Sequence, residues 1–479
     1  MFYRLKSGIL LRGWEKLPYA VVNEKVGMPV FISGKEMETL RLCNGKIDFS
    51  LPLISNESRS MVREFEKHGI VETCDPGVGV EAKQEYHLYP CRYIRTAHWS
   101  ITGRCNYRCR HCYMSAPEAK YGELPHDTIM KLIDELAECG VMNVTITGGE
   151  PLVRSDFFEI VDAMLEKGIQ IRTIYSNGRL VREPLLKELE KRNLHPEFNM
   201  SFDGVGWHDW LRGIPGAEKA VDEAFRLCRD LGFPTASEMC LHDKNKDTLR
   251  ESINYLKSVG CKSLKTNPVS NVGEWLNTGL GETITMDELF QLYLDYIPRY
   301  YQDGMPLSLM LGGFFLADPD SPKEYQVPMY HPASDPSKAC VCAHARQVMY
   351  ISPAGRVLPC FSLSGMEAQN DFPSVLETDM KQCLTDSYYL DFITSKATAV
   401  LNHNPECKEC AYQQWCLGGC RASGLEYSSQ QDFYHRDEAT CNLYRNGWIK
   451  KLLHMMEQLH PDITCPAGKD EKLREALEA

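Results

Sequence analysis

Three cysteines, Cys105, Cys109 and Cys112, stand in the run Cys-Asn-Tyr-Arg-Cys-Arg-His-Cys, a C-x3-C-x2-C spacing. Thiolates are soft ligands that suit iron–sulfur clusters and zinc. At this spacing three of them can wrap one face of a cubane cluster. The fourth iron then lacks a protein ligand and offers a seat to a small bidentate molecule. The competing chemistry is structural zinc, which closes with four N/S ligands. His111 would be the fourth, but its adjacency to Cys112 makes that geometry awkward.

Other residues with chemical reach follow predicted strands. In Thr147-Gly148-Gly149-Glu150-Pro151 two glycines let the backbone come close to a ligand. Glu150 can neutralise and hydrogen-bond an ammonium group. Ser176-Asn177-Gly178 ends one strand and Ser201-Phe202-Asp203-Gly204 the next. Ser201 and Asp203 also fit a plain capping or turn role. Arg212, in the run His208–Gly213, can pair with a carboxylate. Near the C-terminus, Cys407-x2-Cys410-x5-Cys416-x3-Cys420 and then Cys441 are too regular for packing, and Cys340, Cys342 and Cys360 precede them. A pair of zinc ribbons is the alternative there. Cys43, Cys74, Cys139, Cys228, Cys240, Cys261 and Cys383 are scattered singly, and most of them read as small core hydrophobes.

The elements that must position these groups show in the periodicity. Strands are expected at His98–Thr102, Asn143–Thr147, Gln170–Tyr175, Glu197–Phe202, Thr235–Leu241 and Ser263–Asn267. Between them run helical patterns such as Asp127–Cys139, where Ile129, Leu132, Ile133 and Leu136 recur on one face. Six such units imply a parallel sheet, curled by right-handed crossovers into a full or partial barrel. The cysteine run lies at the C-terminal end of the first strand, where barrel active sites are built. The expectation is an α/β fold: a partial (β/α)6 barrel of the TIM type over 97–310. Residues 1–80 read as strands, helix, helix, strand, a small winged-helix module. Residues 81–96 read as a linker, 311–450 as a cysteine-rich domain, and 451–479 as a charged C-terminal helix or tail.

Composition bounds the function. The 479 residues are 43% hydrophobic and 25% charged, an ordinary globular balance. A net charge of −12 argues against a general nucleic-acid binder. No apolar run is long enough to cross a bilayer, and Met1–Trp14 has no signal-peptide core. A cytoplasmic location is therefore expected. Twenty cysteines in a reducing compartment point to metal, not disulfides.

The C-x3-C-x2-C run after a first strand, with the Gly-Gly-Glu-Pro turn after a second, resembles the radical S-adenosylmethionine superfamily. The residue before the third cysteine is usually aromatic in that family; here it is His111, with Tyr113 behind. The resemblance implies that Gly148, Gly149 and Glu150 meet the methionyl amine. It assigns Ser176 and Asn177 to the ribose, Arg212 to the carboxylate and His111 to the adenine side, with Ser201 and Asp203 also in the cofactor site. Cys342, Gly355, Cys360 and the later run resemble the SPASM domain, which carries two auxiliary clusters. Three 4Fe–4S clusters are implied: Cys105, Cys109 and Cys112 for the first; Cys342, Cys360 and Cys420, joined by Cys340, for the second; Cys407, Cys410, Cys416 and Cys441 for the third.

The cofactor implies the chemistry. One electron splits S-adenosylmethionine, and the resulting 5′-deoxyadenosyl radical takes a hydrogen atom from a C–H bond. Flavodoxin or ferredoxin is the implied donor. Residues 1–80 resemble the leader-peptide recognition element of enzymes that modify ribosomally made precursor peptides. The leading expectation is a thioether of the sactionine type, Cys sulfur to α-carbon. Alternatives are another crosslink, an epimerisation, or a sulfatase-type maturation. In the sulfatase relatives an Asp follows the cysteine equivalent to Cys360; here it is Phe361.

Overall fold

The computed structural model describes residues 1–116, 118–280, 283–428 and 432–478. Its centre is an eleven-stranded sheet. Seven strands run parallel in chain order: Thr96–Ser100, Asn143–Thr147, Gln170–Ser176, Glu197–Ser201, Thr235–Leu241, Ser263–Pro268 and Ser308–Leu311. Parallel neighbours need a crossover, and helices such as His126–Glu138, Phe157–Glu166 and Ala217–Asp230 supply it. In the first of these, Ile129, Leu132, Ile133 and Leu136 are the buried residues, as their spacing predicts. The helix Met286–Gln302 starts on a capping box in which Thr285 and Glu288 exchange hydrogen bonds.

An eighth parallel strand comes from far along the chain. Val348–Ile351 pairs with Thr96–Ser100, in the register Tyr350 to His98 and Ile351 to Trp99. The strand order is open, ending at Tyr325–Gln326 on one side and Val357–Leu358 on the other. The expected first strand, His98–Thr102, lies two residues earlier, because Thr102 has already left the ladder to carry the cysteine loop. A boundary at 310 is corrected: the strand Ser308–Leu311 crosses it, and the same sheet continues through Phe315–Ala317.

The N-terminal region holds two sheets. Asn44–Asp48, Phe2–Leu5 and Val71–Cys74 form an antiparallel one, with helices Gly34–Leu42 and Asn56–Lys67. Strand Asn44–Asp48 separates the two helices and was not expected. Pro29–Phe31, Leu17–Asn23, Ile9–Glu15 and His87–Arg92 form the other sheet. Residues 81–96 are therefore no plain linker: His87–Arg92 pairs parallel with Ile9–Glu15. The region has its own core, including Leu5, Leu11, Met37, Leu40, Val62 and Val71. It is bound to the barrel by Trp14 Nε1, which donates to Cys139 O at 3.3 Å, and by Asn143 Nδ2, which donates to Gly27 O at 3.1 Å.

Beyond 380 the chain is a succession of short helices, among them Ala397–His403, Arg421–Tyr427 and Glu438–Arg445, then Trp448–Leu459. The last helix, Glu471–Glu478, packs its Leu473 and Leu477 into the main core. Among the described residues no helix is long and apolar enough to cross a membrane.

Candidate active site

The cysteine loop leaves strand Thr96–Ser100 and is clamped by neighbouring backbones. Gly149 N–H donates to Thr102 O at 2.8 Å, and Glu150 N–H to Arg104 O at 2.8 Å. A Cβ on Gly149 would stand 2.2 Å from Arg104 O, so only glycine permits this approach. On the opposite side Gly213 ends the short helix His208–Arg212 in a left-handed conformation. There a Cβ would stand 2.2 Å from Arg108 O. Within the loop, Tyr107 N–H points at Cys105 Sγ (3.4 Å), and Cys112 N–H donates to Cys109 O (3.2 Å).

Two buried acids organise the surroundings. Glu150 accepts from Asn177 N–H (2.7 Å), Leu152 N–H (3.2 Å) and Ser176 Oγ (3.0 Å). Burial pushes its carboxyl up to about 7 despite these donors. Its side chain faces Ser176 and Asn177 and does not line the cavity described below, whereas Gly148 and Gly149 do. Asn177 Nδ2 in turn donates to Asn106 Oδ1 (2.7 Å), inside the cysteine loop. Asp203, fully buried, holds Arg212: Nε lies 2.6 Å from Oδ2. The Cys240 and Asn245 groups hold Asp203 from behind, through Cys240 N–H to Oδ1 and Asn245 Nδ2 to Asp203 O. Burial pushes the Asp203 carboxyl up, but Arg212 and His208 outweigh it and keep it well below the usual range. Arg212 Nη1 reaches to 3.7 Å from Cys109 Sγ.

The three thiols lie on one short loop, partly buried. Burial raises Cys105 to about 12 and Cys112 to about 11, and raises Cys109 as well. Three soft sulfur donors on one loop, all facing one cavity, fit an iron–sulfur cluster. His111 is pushed down to about 3 by burial and is a neutral imidazole. Its ring nitrogen, Asp203 and Cys240 Sγ lie within 4.8 Å of one another. Arg212 already neutralises that carboxylate, which disfavours a cation there.

The loop opens into a cavity of about 520 Å³ between barrel and C-terminal region. Cys105, Cys109, His111, Cys112, Ser176, Asn177, Ser201 and Arg212 all line it, so most of the residues nominated from the sequence converge here. So do groups that sequence reasoning missed: His98, Tyr175, Glu238, Cys240 and Lys265. Lys265 Nζ lies 4.0 Å from Glu238 Oε1, and His98 stacks on Tyr175. Their signal was strand alternation, since residues 238 and 240, like 265 and 267, point to one face.

The C-terminal cysteines form two groups. Cys407, Cys410, Cys416 and Cys441 surround one small cavity of about 30 Å³. Cys360 and Cys342 both help to raise the Cys420 thiol, Cys342 also raises that of Cys360, and Cys420 opens into the large cavity. Cys340 sets its thiol against Thr394 O and Lys396 Nζ, each at 3.9 Å. Phe361 packs on His98 and Tyr113, with no carboxylate in that place.

Comparisons with known proteins agree with this geometry. Residues 99–256 match the model of the radical SAM superfamily. The chain is 26% identical over 344 residues to PqqA peptide cyclase of Granulibacter bethesdensis, covering 69% of this chain and 83% of that protein. It is 24% identical over 370 residues to the antilisterial bacteriocin subtilosin biosynthesis protein AlbA of Bacillus subtilis, covering 75% and 73%. In fold it is similar to Streptococcus suis SuiB bound to its precursor peptide SuiA, with a TM-score of 0.60 at 16% identity over 92% of this chain and 100% of that one. The chain carries a radical SAM domain over residues 99–256 and is an enzyme.

Proposed function

We propose that this enzyme modifies a ribosomally synthesised precursor peptide, forming a thioether between a Cys sulfur and a backbone α-carbon. Cys105, Cys109 and Cys112 would hold the first cluster. Gly148, Gly149, Ser176, Asn177, Ser201, Arg212 and His111 would seat S-adenosylmethionine beside it, with Glu150 and Asp203 fixing the loops that carry them. When bound, cluster and cofactor supply a carbon radical able to take a hydrogen atom from an unactivated C–H bond. The chain's own part is to orient the peptide over this site and to exclude water. Cys342, Cys360 and Cys420, with Cys340, and the set Cys407, Cys410, Cys416 and Cys441 would hold two auxiliary clusters.

The observation that carries the reading is the single cavity running from the three thiols to Cys420. It is large enough for a peptide segment and lies between two groups of candidate ligands. The N-terminal region supports it. Pro29–Phe31 is an edge strand, and Val30 and Phe31 on it are exposed, as are Leu17 and Tyr19 on the neighbouring strand. Such an edge suits a leader peptide added as a further strand, in the manner of a winged-helix recognition element. PqqA peptide cyclase and AlbA, by their names, also act in peptide maturation. Phe361 in place of an acid disfavours the sulfatase-type alternative.

The test is co-expression with a Cys-containing precursor peptide, followed by mass spectrometry. A loss of two hydrogens per crosslink, located between a Cys sulfur and an α-carbon, is expected. An unchanged mass with an inverted residue would mean epimerisation. A two-hydrogen loss with an intact thiol would mean a carbon–carbon bond.

A further inference from the structure

The chain has a net charge of −12, yet the surface over its cysteine loop is basic. Arg104, Arg108 and Arg110 sit between or beside the thiols, and all three are exposed. Arg104 and Arg108 each pair with an acid, Glu123 and Glu118. Arg110, Arg179 and Lys244 rest instead on aromatic rings. Arg110 Cζ lies 5.1 Å from the Trp210 ring centre, and Lys244 Nζ lies 5.5 Å from the same ring and 5.8 Å from that of Trp207. Arg179 Cζ stands 5.9 Å over Tyr107, the buried residue between Cys105 and Cys109.

Some basic residues elsewhere find acids, as Arg192 does in Asp162 and Glu188 and Arg250 in Asp303, and a few others rest singly on a ring, as Lys451 does on Trp448; here two cations share one ring. Two cations sharing the Trp210 ring repel each other, and no carboxylate among the described residues pairs with either. The charge is relieved when an acidic surface arrives. It also sits where an electron must enter, because Arg110 lies between Cys109 and Cys112 and its Nε bonds Trp210 O.

We propose that Arg110, Arg179 and Lys244, with Trp207 and Trp210, form the docking surface for an acidic one-electron carrier protein. The inference rests on the reading of Cys105, Cys109 and Cys112 as cluster ligands. In the step it serves, the carrier is oxidised by one electron and the cluster reduced by one, with no atom transferred. Opposite charge steers the encounter and sets its salt dependence.

The experiment uses reconstituted holoenzyme with S-adenosylmethionine in excess. Bleaching of the cluster absorbance is followed by stopped flow, with reduced flavodoxin as the protein donor and dithionite as the small one. For the native enzyme, the flavodoxin rate constant should fall about tenfold or more between ~50 and ~300 mM salt. At low salt an Arg179→Glu/Lys244→Glu variant should lose a similar factor with flavodoxin and stay within about twofold with dithionite. A flavodoxin rate indifferent to salt in the native enzyme overturns the proposal. So does an equal loss with both reductants in the variant, or a salt effect confined to precursor-peptide binding. No bleaching of the native protein by dithionite would instead sink the cluster assignment, and the docking surface with it.

Discussion

Arg212 is held by Asp203 at 2.6 Å while its other edge comes to 3.7 Å from Cys109 Sγ. A buried acid thus aims a buried cation at a thiol and at the cavity. Paired burial of this kind adds little stability by itself, but breaking it is costly. Asp203→Ala should destabilise the protein by about 3–5 kcal/mol, because the guanidinium loses its counter-charge without reaching water. Urea unfolding measures this. Arg212→Met, of similar length and uncharged, strands the Asp203 carboxylate in the same way and should cost a comparable amount in stability, with a loss of S-adenosylmethionine affinity read by equilibrium binding.

Glu150 gives a pH signature. Its carboxyl is raised by burial to about 7 in the folded chain, against 4.5 for the ordinary group. A raised acid binds its proton more tightly when folded. Its contribution to stability is therefore greatest below pH ~4.5 and is lost as pH climbs through ~7. Relative to native protein, Glu150→Gln should become more favourable by a few kcal/mol between pH 5 and pH 8. A pH-independent difference in denaturant midpoints would show that Glu150 does not titrate there.

Gly149 tests the clamp on the cysteine loop. A methyl group there would collide with Arg104 O, which is backbone and cannot swing aside. Gly149→Ala should cost about 1–3 kcal/mol and displace the loop. On the three-cluster reading, iron content after reconstitution should drop by about four per chain, with the C-terminal sites still filled. Full incorporation with native absorbance would show that the loop tolerates the shift.

The auxiliary set can be counted. Cys416→Ala removes one of four thiols around a small cavity. Iron should fall from about twelve to about eight per chain on the three-cluster reading. Reductive cleavage of S-adenosylmethionine should survive, because the first cluster is untouched. Loss of that cleavage together with the iron would mean that the C-terminal cysteines support the first site.

Much of this was legible in the residues alone. The six central strands and their helices fall within a few residues of their expected places, because alternation and helical periodicity are local properties. Cys105, Cys109 and Cys112 stood out equally, since three thiols within eight residues need only one loop to lie together. What lay beyond reach was everything joined across long stretches of chain. Val348–Ile351 closes on Thr96–Ser100 by a pairing of two remote segments, and nothing in either segment names the other. Glu238, Cys240 and Lys265 looked like ordinary strand residues until the curvature of the sheet turned their face into the cavity. Arg212 was a free candidate for a ligand carboxylate until folding set Asp203 beside it. Spacing determines which groups can share a loop. Only the packed sheet decides which loops, strands and charges share a site, because that depends on closure between distant segments and on the register in which they meet.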